Sequence, residues 1–196
     1  MKAVTHLPEG YKKLYCVDLQ KDKKMSFIVN LLAIVIAAAL AVPMHFAVPI
    51  YSLFSMEDGM GQYMLRLGAL IVLLMLYIVL HELVHGVAMK ICGTKKVKYG
   101  FTGLYAFAGS QDYYDKTAYI FVALAPVVLW GAVLAVINPF VPAQWFWVVY
   151  LIQITNLSGA AGDVWVTVRF SRLPKDILVQ DYGVGMTVFS KQENRT

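Results

Sequence analysis

Long apolar stretches separated by short polar ones dominate this chain, and their spacing predicts its elements. Four stretches read as helices able to cross a membrane: about Ser26–Val48, Leu65–Met89, Thr117–Ile137 and Gln144–Val168. Each is near the ~20 residues that a hydrocarbon core of about 30 Å requires. Pro43 is expected to kink the outer end of the first, and Pro126 sits near the middle of the third. Between the second and third, residues Thr94–Asp115 are too polar and glycine-rich to span. There Val97, Tyr99 and Phe101 alternate with Lys96, Lys98, Gly100 and Thr102, the period of a strand. A hairpin entering the membrane region is predicted, covered by protein or lining a water-filled cavity. One further short strand is predicted at Gly185–Phe189. The pattern as a whole predicts an all-α polytopic membrane protein with about four transmembrane helices. A cytoplasmic arm (residues 1–25) precedes the membrane domain (26–168, with the hairpin at about 94–115), and a cytoplasmic tail (169–196) follows it.

Composition agrees with this reading. The chain is 59 % hydrophobic and 15 % charged, with a mean hydropathy of +0.62, more apolar than a soluble domain. Its 196 residues leave room for a single multipass unit. The net charge of +5 does not point to nucleic acid, because the basic residues cluster at the ends of apolar segments. Lys12, Lys13, Lys21, Lys23 and Lys24 precede the first span. Lys90, Lys95, Lys96, Lys98 and Lys116 lie between the second and third, and Arg169, Arg172 and Lys175 follow the fourth. The remaining connections hold Glu57 and Asp58 with Arg66 at the edge, or no charge at all. By the positive-inside rule both termini are cytoplasmic and the protein sits in a cell membrane. Cys16 and Cys92 are isolated, lack metal-ligand spacing, and fall on the predicted cytoplasmic side, where thiols stay reduced.

The second span carries His81-Glu82-Leu83-Val84-His85-Gly86 directly after the apolar run Leu67–Leu80. On a helix, residues four apart share a face, so His81 and His85 can present two imidazoles to one metal ion. Glu82 projects beside them, placed to take a proton from water activated at a zinc ion. Charged groups at membrane depth cost about 2.5–3.5 kcal/mol each on insertion scales, which favours a functional reason for them.

Catalytic zinc commonly has three protein ligands. After Glu82 the only glutamate is Glu193, in the tail, and of the later aspartates only Asp163 lies within a span. The second and fourth spans run in the same direction, and His81 and Asp163 stand 15 and 18 residues inside Arg66 and Trp145. At 1.5 Å per residue these are roughly 22 and 27 Å deep. The depth match nominates Asp163 as the third ligand. The alternative is a carboxylate that orients a ligating histidine through its other nitrogen. Asn156, on the same polar or small face as Gln153, Ala160, Asp163 and Thr167, is placed to hydrogen-bond an extended substrate. Its alternative is a hydrogen bond to a neighbouring helix. Tyr77, one turn before His81, reads as packing, with an oxyanion contact as the alternative. His45 reads as an interfacial residue, and His6 is uninformative.

These residues resemble the site-2 protease class of intramembrane metalloproteases and, more closely, a family of small bacterial membrane zincin peptidases. The resemblance rests on the His81–Gly86 motif, on Pro126, and on Asn156 to Asp163. It implies a three-helix catalytic core in the second to fourth spans, zinc held by His81, His85 and Asp163, and Glu82 as general base. The expected substrate is a membrane protein or peptide, hydrolysed within the lipid bilayer. The chain departs from the site-2 pattern in having no proline between Asn156 and Asp163 and Val164 directly after Asp163. Two other functions fit the residues: a membrane zinc hydrolase acting on a non-protein substrate, and a non-enzymatic metal-binding scaffold. Glu82 argues against the scaffold, because metal binding alone does not need that carboxylate.

Overall fold

Asp22 opens the first helix. Its carboxylate accepts the Met25 N–H at 2.9 Å, the contact by which an N-cap satisfies an otherwise orphaned donor. In the computed structural model, which describes residues 2–18, 21–103 and 105–191, this helix, α1, runs Lys23–Ala47 with Pro43 inside it. Glu193 lies outside the described residues. α2 follows at Met60–Ile91, and α3 at Lys116–Ile137, capped by Asp115, whose carboxylate accepts the Ala118 N–H at 2.8 Å. Three helices are long and apolar enough to cross a membrane: Lys23–Ala47, Met60–Ile91 and Lys116–Phe140. Their outer faces are large and apolar. Phe27, Ile34 and Val35 of α1 and Ile71, Val72 and Met75 of α2 are all more than half exposed, a surface suited to lipid.

The expected all-α fold is corrected here. The protein is 61 % helix but also carries a five-stranded antiparallel sheet and a two-stranded one, so it is a mixed α and β fold. The five strands are β1 (Ala3–Val4), β2 (Tyr11–Asp18), β5 (Tyr113–Asp115), β6 (Leu178–Asp181) and β7 (Gly185–Lys191), in the order β1-β5-β6-β7-β2. β2 lies in the segment read as an arm, and β6 and β7 in the segment read as a tail. β2 and β7 pair from opposite ends of the chain, as in Cys16 opposite Thr187, and such pairing has no local signature. The hairpin read at about 94–115 forms as β3 (Lys98–Phe101) against β4 (Ala106–Gly109), with Gly100 opposite Phe107.

The fourth span also differs from expectation. Instead of one helix over Gln144–Val168, α4 (Phe146–Gly159) ends at Ala160 and α5 (Ala161–Ser171) begins anew. Gly159 and Gly162 flank this break, and glycine is the residue that a helix interior tolerates least after proline.

The chain divides into two compact units: Met1–Ile28 with Glu82–Pro126 and Asp163–Thr196, and Val29–His81 with Val127–Gly162. The first unit holds the sheet. Its core joins Tyr114, Val179 and Val188 of the strands to Ala88 and Met89 of α2, Ala118 and Val122 of α3, and Val166 and Phe170 of α5. The second unit is helical and packs around Leu53, Trp147, Val148 and Ile154. There the Trp147 indole donates to the Val48 carbonyl at 2.9 Å, and the Tyr150 hydroxyl to that of Leu40 at 3.1 Å. Arg66, 1 % exposed, ties down the loop before α2 by donating to the Ser55 carbonyl and pairing with Asp58 at 3.3 Å.

The sheet can be tested by a crosslink. Residues opposed in an antiparallel ladder have Cα atoms about 4.5–5.5 Å apart, within reach of a disulfide, and the Thr187 hydroxyl lies 3.7 Å from the Cys16 sulfur. Thr187→Cys should therefore crosslink to Cys16 on mild oxidation, as read by mass spectrometry of the linked peptides. A sample that stays fully reduced would contradict the β2–β7 register.

Candidate metal centre

α2 is unbroken through the His81–Gly86 motif, so the two histidines stand one turn apart on one face. His85 is buried, and a buried ring nitrogen left without a partner costs about 1–3 kcal/mol. Its Nδ1 lies 2.9 Å from the carbonyl oxygen of Val122. A carbonyl can only accept, so Nδ1 carries a proton, and in the neutral ring Nε2 holds the lone pair.

A longer chain of donors and acceptors orients His81. The Val127 carbonyl accepts from Asn156 Nδ2 at 3.2 Å, which assigns the amide nitrogen to that side and Oδ1 to the other. Asn156 Oδ1 accepts the Tyr77 hydroxyl at 2.9 Å. The Tyr77 oxygen, its own proton directed to Asn156, then accepts from His81 Nδ1 at 2.7 Å. His81 is thereby assigned the same tautomer as His85. Both rings are held through Nδ1, the arrangement by which metal-ligating histidines are oriented.

Asp163 completes the group. The break at Ala160 puts it in the first turn of α5, where the helix dipole favours a carboxylate. Its Oδ2 is 3.8 Å from His85 Nε2. Ligand atoms of His81, His85 and Asp163 all lie within 4.8 Å of one another. Ligands about 2.1 Å from a tetrahedral ion stand about 3.4 Å apart, so modest side-chain adjustment closes this set around one ion. Two nitrogens and one carboxylate oxygen are a donor set that suits zinc. Glu82, half-buried, is adjacent to His81 in the same helical turn.

The other residues singled out in the sequence fall elsewhere. Asn156 is fully buried with both ends of its amide engaged, so its place is behind His81 rather than on a surface open to substrate. Tyr77, read as packing, is the link between them. His45 accepts the Ile50 N–H through Nδ1 at 3.1 Å, closing the end of α1. Asp115 caps α3, and Asp112 stands outside the converging set.

Two features were not found by sequence reasoning. Gly86 is a seat for the Tyr99 ring of β3: a Cβ there would lie 1.9 Å from the Tyr99 hydroxyl oxygen, so any other residue would displace that ring from α2. Asp181, at the end of β6, accepts the Tyr119 hydroxyl at 2.9 Å and the Gly183 N–H at 2.8 Å. Burial pushes its carboxyl above the ordinary value, opposed by those two hydrogen bonds. The sequence signal for Asp181 was only an aspartate two residues before a glycine turn, which is common in loops.

The chain is 28 % identical over 122 residues to a protein of Pyrococcus woesei described as "Uncharacterized 24.7 kDa protein in gap 5'region". The match covers 60 % of this chain and 53 % of that protein, so the chain spans about half the length of the relative it matches. No solved structure matches. The model of a family described as "Putative zincin peptidase" matches residues 74–178. That span takes in both histidines, Glu82, Pro126 and Asp163 and covers more than half of the chain, which therefore belongs to this zincin peptidase family.

Proposed function

We propose that this protein is an intramembrane zinc metallopeptidase of the site-2 type, hydrolysing peptide bonds of membrane proteins with Glu82 as general base. The observation that carries this reading is the convergence of two imidazoles from an apolar helix and a carboxylate from another helix within 4.8 Å. The family, which suggests a zinc metallopeptidase, supports it, and the three apolar helices support a place in the membrane.

His81, His85 and Asp163 would hold the ion. When bound, zinc supplies Lewis acidity that polarises a carbonyl and makes water easier to deprotonate. Glu82 accepts the proton of the water that attacks the scissile carbonyl carbon, and then passes it to the departing amine nitrogen. A peptide bond inside a helix is shielded by its own hydrogen bonds, so the substrate must be extended before it reacts. Among the described residues β3 pairs with β4 alone, and its second edge is suited to receive such an extended segment.

We further propose that both termini are cytoplasmic. β2 and β7 share one sheet, which supports placing the two terminal segments on one side of a membrane. Arg66 is the only lysine or arginine of the helical unit, and all the others belong to the unit that holds the sheet. The positive-inside rule favours the cytoplasmic side for the basic loops and ends of that unit.

Purified protein should contain about one zinc per chain by elemental analysis. His81→Ala and His85→Ala should lose it, and Glu82→Gln should keep the metal while losing cleavage of membrane-peptide substrates. Asp163→Asn should weaken zinc binding, and stoichiometric metal in the double histidine variant would refute the site.

Tyr77→Phe removes only the hydroxyl that holds His81 and should weaken zinc binding by about 10-fold, measured by chelator competition. Combined with Asn156→Leu the loss should be no greater than the larger single effect, because both act through one hydrogen-bonded chain. Additive losses would show that the two residues act separately.

Topology is checked by reporters. Fusions after Arg172 and within Lys95–Lys98 should read cytoplasmic and one at Glu57 external, and an external reading at Lys95–Lys98 would overturn the orientation.

A further inference from the structure

α3 contains a proline ten residues after it begins, in a helix that is apolar beyond its first turn. In an α-helix each N–H donates to the carbonyl four residues earlier. Pro126 has no N–H, and the carbonyl four residues before it is that of Val122. A proline ring also pushes against that same carbonyl and turns it off the helix axis. Val122 is the residue whose carbonyl oxygen lies 2.9 Å from His85 Nδ1. His85 is one of the two histidines of the motif, and its other nitrogen, Nε2, lies 3.8 Å from Asp163 Oδ2.

We propose that Pro126 is a positioning residue of the metal centre. By withholding the backbone N–H that would otherwise occupy the Val122 carbonyl, it reserves that carbonyl for His85 Nδ1 and presents Nε2 to the metal. The effect runs through backbone chemistry alone: any other residue at 126 restores a competing donor. Val122 itself is 2 % exposed, so no water stands in for the acceptor if the carbonyl turns back into the helix. This inference rests on the zinc-centre reading above.

The test uses the full chain in detergent micelles, with zinc affinity measured by competition against a chromophoric chelator. Pro126→Ala and Pro126→Gly both restore the N–H, but only glycine leaves the helix free to keep a bend. Both should bind zinc about 10-fold more weakly than wild type. Metal-free Pro126→Ala should unfold at no lower temperature than wild type, because alanine favours the helix. Wild-type affinity in both variants would overturn the proposal. A loss in the alanine variant alone would do the same, since it would trace the effect to the bend. A wild-type protein that binds no zinc would instead refute the metal centre, and this inference with it.

A second measurement needs no change at position 126. In metal-free wild-type protein labelled with 15N-histidine, the His85 resonance, assigned by its loss in His85→Asn, should show the Nδ1–H tautomer. The Nε2–H form would overturn the proposal.

Discussion

A polar group inside an apolar helix must find a partner within the protein, and that constraint shapes this structure. The net gain from one hydrogen bond is about 1 kcal/mol, while a buried donor left without one costs about 1–3 kcal/mol. The two imidazoles of α2 meet this demand in different ways. His85 uses the Val122 carbonyl, and His81 uses a chain through Tyr77, Asn156 and the Val127 carbonyl. Because each chain ends at a carbonyl, which accepts and never donates, every proton along it is assigned. Arg66 follows the same accounting in part: its two terminal nitrogens are matched to the Ser55 carbonyl and the Asp58 carboxylate, while its buried Nε has no hydrogen-bond partner among the described residues.

The sheet-bearing unit packs beside two of the proposed ligands, His85 and Asp163. Ala88, Met89 and Cys92 lie three, four and seven residues after His85, on its face of α2, and all three belong to the core. Val166 and Phe170 stand three and seven residues after Asp163 in α5 and belong to the same core. Val122, which supplies the His85 acceptor, is part of it as well. His85 and Asp163 thus sit at the edge of a cluster packed from three helices and a sheet. A site carried on packed elements is held more closely than one on loops.

Glycines set the close approaches around this site. Gly86 admits Tyr99 of β3 against α2, and Gly183, at φ 96°, turns the chain between β6 and β7. A Cβ on Gly183 would also meet the Phe107 ring of β4 at 2.2 Å. The hairpin and the β6–β7 turn are therefore fitted to each other through positions where a side chain has been left out.

The sequence by itself determined the apolar helices, the hairpin and the pairing of His81 with His85. Each depends on a local period, two residues in a strand or four along a helix, and a local period is written into neighbouring residues. Depth counting also drew Asp163 toward the histidines. It did so by assuming one continuous helix, whereas the chain breaks at Ala160 and reaches the same neighbourhood from the start of a new one. What only the tertiary structure decided is everything that depends on partners distant in sequence. β2 reads as a basic arm until β7 pairs with it, and Asn156 reads as a substrate contact until Tyr77 and Val127 take both ends of its amide. Side-chain chemistry says what a residue can bond to, and the fold alone says which candidate arrives.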